Sequence, residues 1–232
     1  MRLFELIQTK TTQKDVDASF DMHNRGKLAA NYGVKDGEDP WNSDNGTYAH
    51  GKENPRDPHQ FRKKNYLPAE LENDAYYQYI KAAEPYMGEN PYFPRVYNIT
   101  IKTDNNGREL PSYDIEKLHK ANDLPVETLI SIGKNIFNRF DVQDKPEDLF
   151  PSQIAATLAH KIETALMSNN MSNIKDDNLI NACYIIMDVR DSNEHFDYDF
   201  GPKNIMFRGT PHGPQLVITD PLFDNEHSIV RR

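Results

Sequence analysis

Cysteine is nearly missing from this 232-residue chain: Cys183 stands alone, so no internal disulfide and no cysteine-built zinc site can form. Its apolar neighbours mark it as a buried bystander rather than a nucleophile. Long apolar runs are missing as well. Nothing approaches the roughly 18 consecutive apolar residues of a membrane span, and the first residues lack the apolar core of a secretory signal. The expectation is a cytoplasmic protein with no membrane partner. Basic excess is also absent: 27 lysines and arginines face 36 aspartates and glutamates, a formal net charge of -9. That balance argues against a nucleic-acid partner held through its phosphate backbone. The eight histidines form no HExxH pattern or other close metal spacing.

What is present changes texture along the chain. Residues 1–36 surround one short apolar stretch, Leu3 to Ile7, and are set apart as an N-terminal extension with no assigned role. Residues 37–60 are dense in glycine, proline, asparagine and aspartate, which predicts a loop or an irregular hairpin. Phe61 to Asn65 reads as a short strand. A helix is expected over 68–83, opened by Pro68, with Leu71, Ala75, Tyr79 and Ala82 or Ala83 on one face. Phe93 to Ile101 is β-branched and aromatic, Asp104 to Gly107 is a hairpin turn, and Arg108 to Asp114 is the returning strand. Helices then dominate. Leu129, Ile132, Ile136, Phe137 and Phe140 form one apolar stripe; Ile154, Leu158, Ile162, Ala165 and Leu166 form a second, after Pro151 and Ser152 as start signals. Leu179, Ile180, Cys183, Ile186, Met187 and Arg190 mark a third. The fold class is therefore α+β, with a β-rich region over 37–118 carrying one helix and a helical region over 119–232.

The chemistry concentrates near the end. Ile205 to Arg208 and Leu216 to Thr219 are short, apolar and β-prone, and the intervening Gly209 to Pro214 is rich in turn formers. Antiparallel pairing puts Asn204, just before the first strand, at the same end as Asp220, just after the second, roughly 5 Å away by backbone. An amide oxygen and a carboxylate converging there suit Mg²⁺, which takes oxygen ligands and commonly only one or two from protein. Asp199, on the loop leading in, is free to orient a nucleophilic hydroxyl. The plainer alternative is a surface hairpin whose Asp and Asn only cap turns.

The run Asp199-Phe-Gly-Pro-Lys-Asn204, followed by a strand and Asp220, resembles the catalytic loop and metal-binding aspartate of the protein-kinase and aminoglycoside-phosphotransferase superfamily. The wording of Asn204 to Arg208 and of Val217 to Pro221 is most like kinase-like proteins encoded by tailed phages. The resemblance implies a small β-rich N-lobe and a mainly helical C-lobe, with ATP and Mg²⁺ as cofactors. Asp199 is then the catalytic base, and Asn204 and Asp220 are the metal ligands. It also asks for a lysine on the small lobe and a glutamate on the neighbouring helix. Alternation with Phe61 favours Lys63 over Lys64, and the helical face of Tyr76, Tyr79 and Ile80 favours Glu72 over Glu70. Gly46 and Gly51 are the candidates for a phosphate-covering loop, and Tyr113 and Ile115 fall where a hinge offers backbone groups to adenine.

Several departures accompany the match. Asp197-Tyr198 replaces the His-Arg expected before the catalytic aspartate, and Asp197 could oppose ionisation of Asp199 or join the metal shell. Gly201 stands where protein kinases place a phosphate-contacting lysine, with Lys203 nearby. Pro221 and Leu222 replace the Phe-Gly that follows the metal-binding aspartate. Only residues 221–232 remain after it, so the resemblance implies a truncated C-lobe without an activation segment. The nucleotide is the expected partner. A catalytically inactive module that binds a nucleotide or a host protein, in the host cytoplasm, is the alternative function.

Overall fold

The computed structural model describes residues 49–54, 57–65, 71–103, 109–142 and 145–225. Its first sheet is antiparallel, in the order β1-β2-β4-β3: β1 is Ala49–Asn54, β2 is Asp57–Asn65, β3 is Val96–Thr103 and β4 is Glu109–Glu116. β1 lies within the stretch read as a loop or irregular hairpin, and β2 begins at Asp57 rather than Phe61. β1 is almost wholly polar, so no apolar alternation announces it; its ladder with β2 is a backbone pairing.

Alternation along β2 decides which cation faces which side. Arg62 turns outward and meets its cross-strand partner Asp114, donating from Nε to Oδ1 at 2.5 Å and from Nη2 to Oδ2 at 2.8 Å. That guanidinium holds the Asp114 carboxyl below the usual carboxylate range. Lys63 turns the other way, toward helix α1, Ala75–Ala83. The helix expected over 68–83 starts only here. Asp74 adopts an extended conformation and caps it, its Oδ1 accepting from the Tyr77 N–H at 2.9 Å. Leu71–Asn73 form a separate turn of 3-10 helix before the cap, so Glu72 precedes the helix instead of sharing its inward face. That face carries Ala75, Tyr76, Tyr79, Ile80 and Ala83, all buried.

Three further α-helices follow among the described residues: α2, Val126–Ile136; α3, Pro151–Met167; and α4, Asp177–Asp191. α3 starts at Pro151, whose missing N–H costs nothing in a first turn, and buries Ile154, Leu158, Ile162, Ala165 and Leu166. Asp176 caps α4 by accepting from the N–H groups of Asn178 and Leu179. α2 is shorter than its stripe predicts. Phe137 leaves the helix in an extended conformation, and Phe140 folds back so closely on Gly133 that a Cβ there would sit 2.4 Å from its ring. None of these helices is long and apolar enough to cross a membrane.

The remaining strands pair two by two: β5, Phe196–Tyr198, with β8, Leu222–Asp224; and β6, Ile205–Arg208, with β7, Gln215–Ile218. The β6-β7 hairpin is held on both edges. Phe207 of β6 exchanges backbone hydrogen bonds of 2.8 and 2.9 Å with His119, while Ile218 of β7 donates to the Tyr92 carbonyl at 2.9 Å. The Tyr79 hydroxyl of α1 donates to the Ile218 carbonyl at 2.7 Å. At the far end of β6, the Arg208 guanidinium is buried against the Glu116 carboxylate and donates also to the carbonyls of Pro91 and Phe93 at 3.0 and 2.8 Å. Glu116 accepts in addition from the Arg95 N–H at 2.8 Å. The hairpin is thereby fixed to the end of β4 and to the segment entering β3.

A buried pair satisfied on both sides is costly to break from one side, because the abandoned charge stays desolvated. Glu116→Gln is expected to lower the unfolding free energy by about 3–5 kcal/mol in urea denaturation. The double variant Arg208→Met/Glu116→Leu is expected to cost less than the sum of Arg208→Met and Glu116→Leu. Additive losses would show that the two side chains do not act as a pair.

Candidate functional site

Backbone register sets up the site. Ile205 pairs with Ile218, so the next step outward places Asn204 opposite Thr219. Thr219 donates to the Asn204 carbonyl from its N–H at 2.9 Å and from its hydroxyl at 3.0 Å. Asp220 lies one residue beyond, at the same end of the hairpin as Asn204 but staggered from it by one position. Pro221 then accepts from the Asp199 N–H at 2.8 Å, as β8 aligns with β5. The Asn204 side chain donates from Nδ2 to the Asp199 carbonyl at 2.7 Å. Asp199, Asn204 and Asp220 are thus tied together through neighbouring backbone groups.

The polar tips are left available by these bonds. Asn204 is buried, 6% exposed, and spends its donor on Asp199, while its amide oxygen takes no hydrogen bond from a described residue. The half-buried Asp199 carboxylate makes none either; its Oδ1 lies 4.0 Å from where a Cβ on Gly201 would stand. Asp197 is differently engaged. It sits in β5 opposite Phe223, and its Oδ1 accepts from the Tyr198 N–H at 2.8 Å. Lys203 is exposed on the 3-10 turn that ends at Asn204.

Across from this group stands the sheet. Lys63 Nζ donates to Asp220 Oδ2 at 2.7 Å, with the lysine side chain 15% exposed and the aspartate 36%. The same ammonium lies 3.3 Å from the centroid of the Tyr76 ring. Lys63 is the residue that strand alternation selects, and it reaches the hairpin end. Glu72 does not share this position: it is exposed on the turn before α1, and Lys63 is held by Asp220 and Tyr76. Gly51 lies in β1, its Cα directly opposite Lys63. Gly46 and Glu70 fall outside the described residues, and Lys64, next to Lys63 in β2, stands opposite Ser112.

Tyr113 and Ile115 are interior residues of β4, laddered to β2 on one edge and to β3 on the other. Both side chains are buried, so a segment with free backbone groups for an adenine ring is not found at these two positions. Tyr113 instead stands opposite Lys63 in the ladder and meets Tyr76 edge-on, centroids 4.8 Å apart at 89°. Its hydroxyl is fully buried and finds no hydrogen-bond partner among the described residues, and burial pushes its pKa far above the ordinary tyrosine value. Burial likewise raises the Tyr76 hydroxyl well above its usual value, with the Asp220 charge adding to the effect.

Three contributors escape a reading from sequence: Tyr76, Arg208 and Glu116. Tyr76 carries the only advance signal, an aromatic residue on the inward face of a helix next to the lysine strand. Arg208 and Glu116, 92 positions apart, carry none that would pair them.

As a cation site the group has a particular composition. Among the described residues no three histidine, cysteine, aspartate or glutamate side chains gather to hold a metal ion unaided. Asn204 and Asp220 offer one amide oxygen and one carboxylate, donor types that a hard cation takes together with oxygens from phosphate and water. No family model matches the chain, and no curated protein matches it significantly.

The unpaired Tyr113 hydroxyl gives a direct check on this interior. A buried polar group without a partner costs about 1–3 kcal/mol, so Tyr113→Phe is expected to raise the melting temperature by a few degrees. A lower melting temperature for that variant would mean that the hydroxyl is bonded.

Proposed function

We propose that the chain is an ATP- and Mg²⁺-dependent phosphotransferase of protein-kinase-like architecture, with the sheet and α1 as the small lobe and α2 to α4 with the terminal strands as the larger one. The observation that carries this reading is the 2.7 Å contact between Lys63 and Asp220, 157 positions apart, beside Asp199 and Asn204. A strand lysine, a base-competent aspartate on a loop, an asparagine five positions later and an aspartate after the hairpin are among the recurring parts of kinase-type phosphoryl transfer.

Each group has a distinct task in this reading. Lys63 leaves Asp220 to neutralise phosphate oxygens of the nucleotide. Asn204 and Asp220 hold Mg²⁺, which when bound offsets the negative charge of the phosphates. Asp199, whose carboxylate makes no hydrogen bond to a described residue, orients the acceptor hydroxyl and takes its proton. The acceptor oxygen forms a bond to the γ-phosphorus as the bond from that phosphorus to the β-bridging oxygen breaks, and ADP leaves with the electron pair. Charge placement and positioning supply most of the rate.

One observation favours a second reading, an inactive nucleotide-binding module. No acidic side chain from α1 meets Lys63; Tyr76 does. Transfer assays separate the two.

With millimolar ATP and MgCl₂, wild-type protein is expected to melt several degrees higher; saturation at a hundredfold excess over Kd is worth about 2.7 kcal/mol. Asp220→Asn removes the metal-dependent part of that shift. Asp199→Asn keeps the shift but slows transfer of the γ-phosphoryl group about 10²–10⁴-fold. No shift in the wild type would overturn nucleotide binding, and equal transfer by Asp199→Asn would overturn its role as base.

A further inference from the structure

From α1, Lys63 meets a ring rather than a carboxylate. Its ammonium lies 3.3 Å from the Tyr76 centroid, inside the range where the negative face of an aromatic ring attracts a cation. The lysine side chain is only 15% exposed, which places the contact in the desolvated regime where that attraction is strongest. The ring itself is locked. Tyr76 is 7% exposed, meets Tyr113 edge-on at 4.8 Å and lies 6.4 Å from Tyr79.

Asp220 cannot serve as a permanent partner, because the proposed phosphotransferase needs it for the cation. Once it turns to that task, Lys63 loses its carboxylate and keeps the ring. We infer that Tyr76 is the positioning residue of Lys63, its ring face holding the ammonium toward bound phosphate in place of an acidic side chain from α1. This inference rests on the phosphotransferase reading for its consequence and on the geometry of α1 and β2 for its substance. A ring, unlike a carboxylate, does not neutralise the ammonium. Lys63 therefore meets phosphate with its full charge.

Two measurements test this, one of them independent of nucleotide. In ligand-free protein with ¹³C-labelled lysine, the Lys63 ε-methylene resonances are expected upfield through the Tyr76 ring current. They stay upfield in Tyr76→Phe and return to ordinary lysine values in Tyr76→Leu. In calorimetric titration with ATP and MgCl₂, Tyr76→Leu is expected to weaken binding about tenfold, the scale of a desolvated cation–ring contact, while Tyr76→Phe stays within about twofold. In a Lys63→Met background, Tyr76→Leu adds no further loss. Should Tyr76→Leu fail to fold, pentafluorophenylalanine at position 76 keeps the ring shape, reverses its electrostatic face and is expected to weaken binding likewise.

Unshifted Lys63 resonances in the wild type would overturn the inference. So would undiminished affinity in Tyr76→Leu, or an equal loss with Lys63→Met already in place. A wild type that binds no ATP yet shows the ring-current shift would count against phosphotransfer and leave the placement of Lys63 by Tyr76 standing.

Discussion

The buried ion pair between Arg208 and Glu116 decides where the terminal hairpin can sit. Removing two charges from water is expensive, and the cost is met only where every donor and acceptor finds a partner. Here the guanidinium spans the Glu116 carboxylate and the carbonyls of Pro91 and Phe93, while Glu116 also takes the Arg95 N–H. Few arrangements satisfy all of these together. With that end fixed, backbone bonds from His119 and Tyr92 hold the two edges of the hairpin, and its other end points Asp220 at Lys63. The site is thus assembled by contacts that lie away from its chemistry.

At the chemical end, hydrogen bonds are distributed so that donors face inward and acceptors remain open. Asn204 gives its amide N–H₂ to the Asp199 carbonyl and receives both donors of Thr219 on its own carbonyl. What is left is the Asn204 amide oxygen and the Asp199 carboxylate, beside an Asp220 carboxylate held by the Lys63 ammonium. The proposed phosphotransferase would use these acceptors for a cation and the lysine as a positive charge for phosphate. Cys183 makes the contrast: its thiol, fully buried in α4 among apolar side chains, is pushed up to about 12 by desolvation and has no part in the site.

Much of this was legible before any coordinates, and the reasons are local. The first strand of the hairpin, Ile205 to Arg208, agrees with its apolar run, because a short β-prone segment bounded by Asn and Gly has few alternatives. Its partner is displaced by one residue, to Gln215–Ile218, and that step puts Thr219 rather than Asp220 opposite Asn204. Register depends on turn geometry that composition does not specify. Alternation selects Lys63 over Lys64 because Phe61 and Lys63 share a face. The same style of argument fails for Glu72, since Asp74 begins the helix after it and removes it from the helical period. β1 forms one arm of an irregular hairpin within the stretch read as a loop or an irregular hairpin, its polar residues pairing by backbone alone, and Phe140, placed on the first helical stripe, is buried by a close approach to Gly133 after the helix has ended. The ion pair of Arg208 with Glu116 and the contact of Lys63 with Tyr76 both need the tertiary fold before they can be seen.

The sheet lysine and the hairpin aspartate meet across 157 positions, and zero-length carbodiimide coupling followed by peptide mass spectrometry checks that contact in solution. An amine and a carboxylate 2.7 Å apart can be joined without a spacer. A coupled pair of peptides containing Lys63 and Asp220 is expected in the free protein, diminished when ATP and MgCl₂ draw the two groups apart. Coupling of Lys63 to other carboxylates, with none to Asp220, would contradict it.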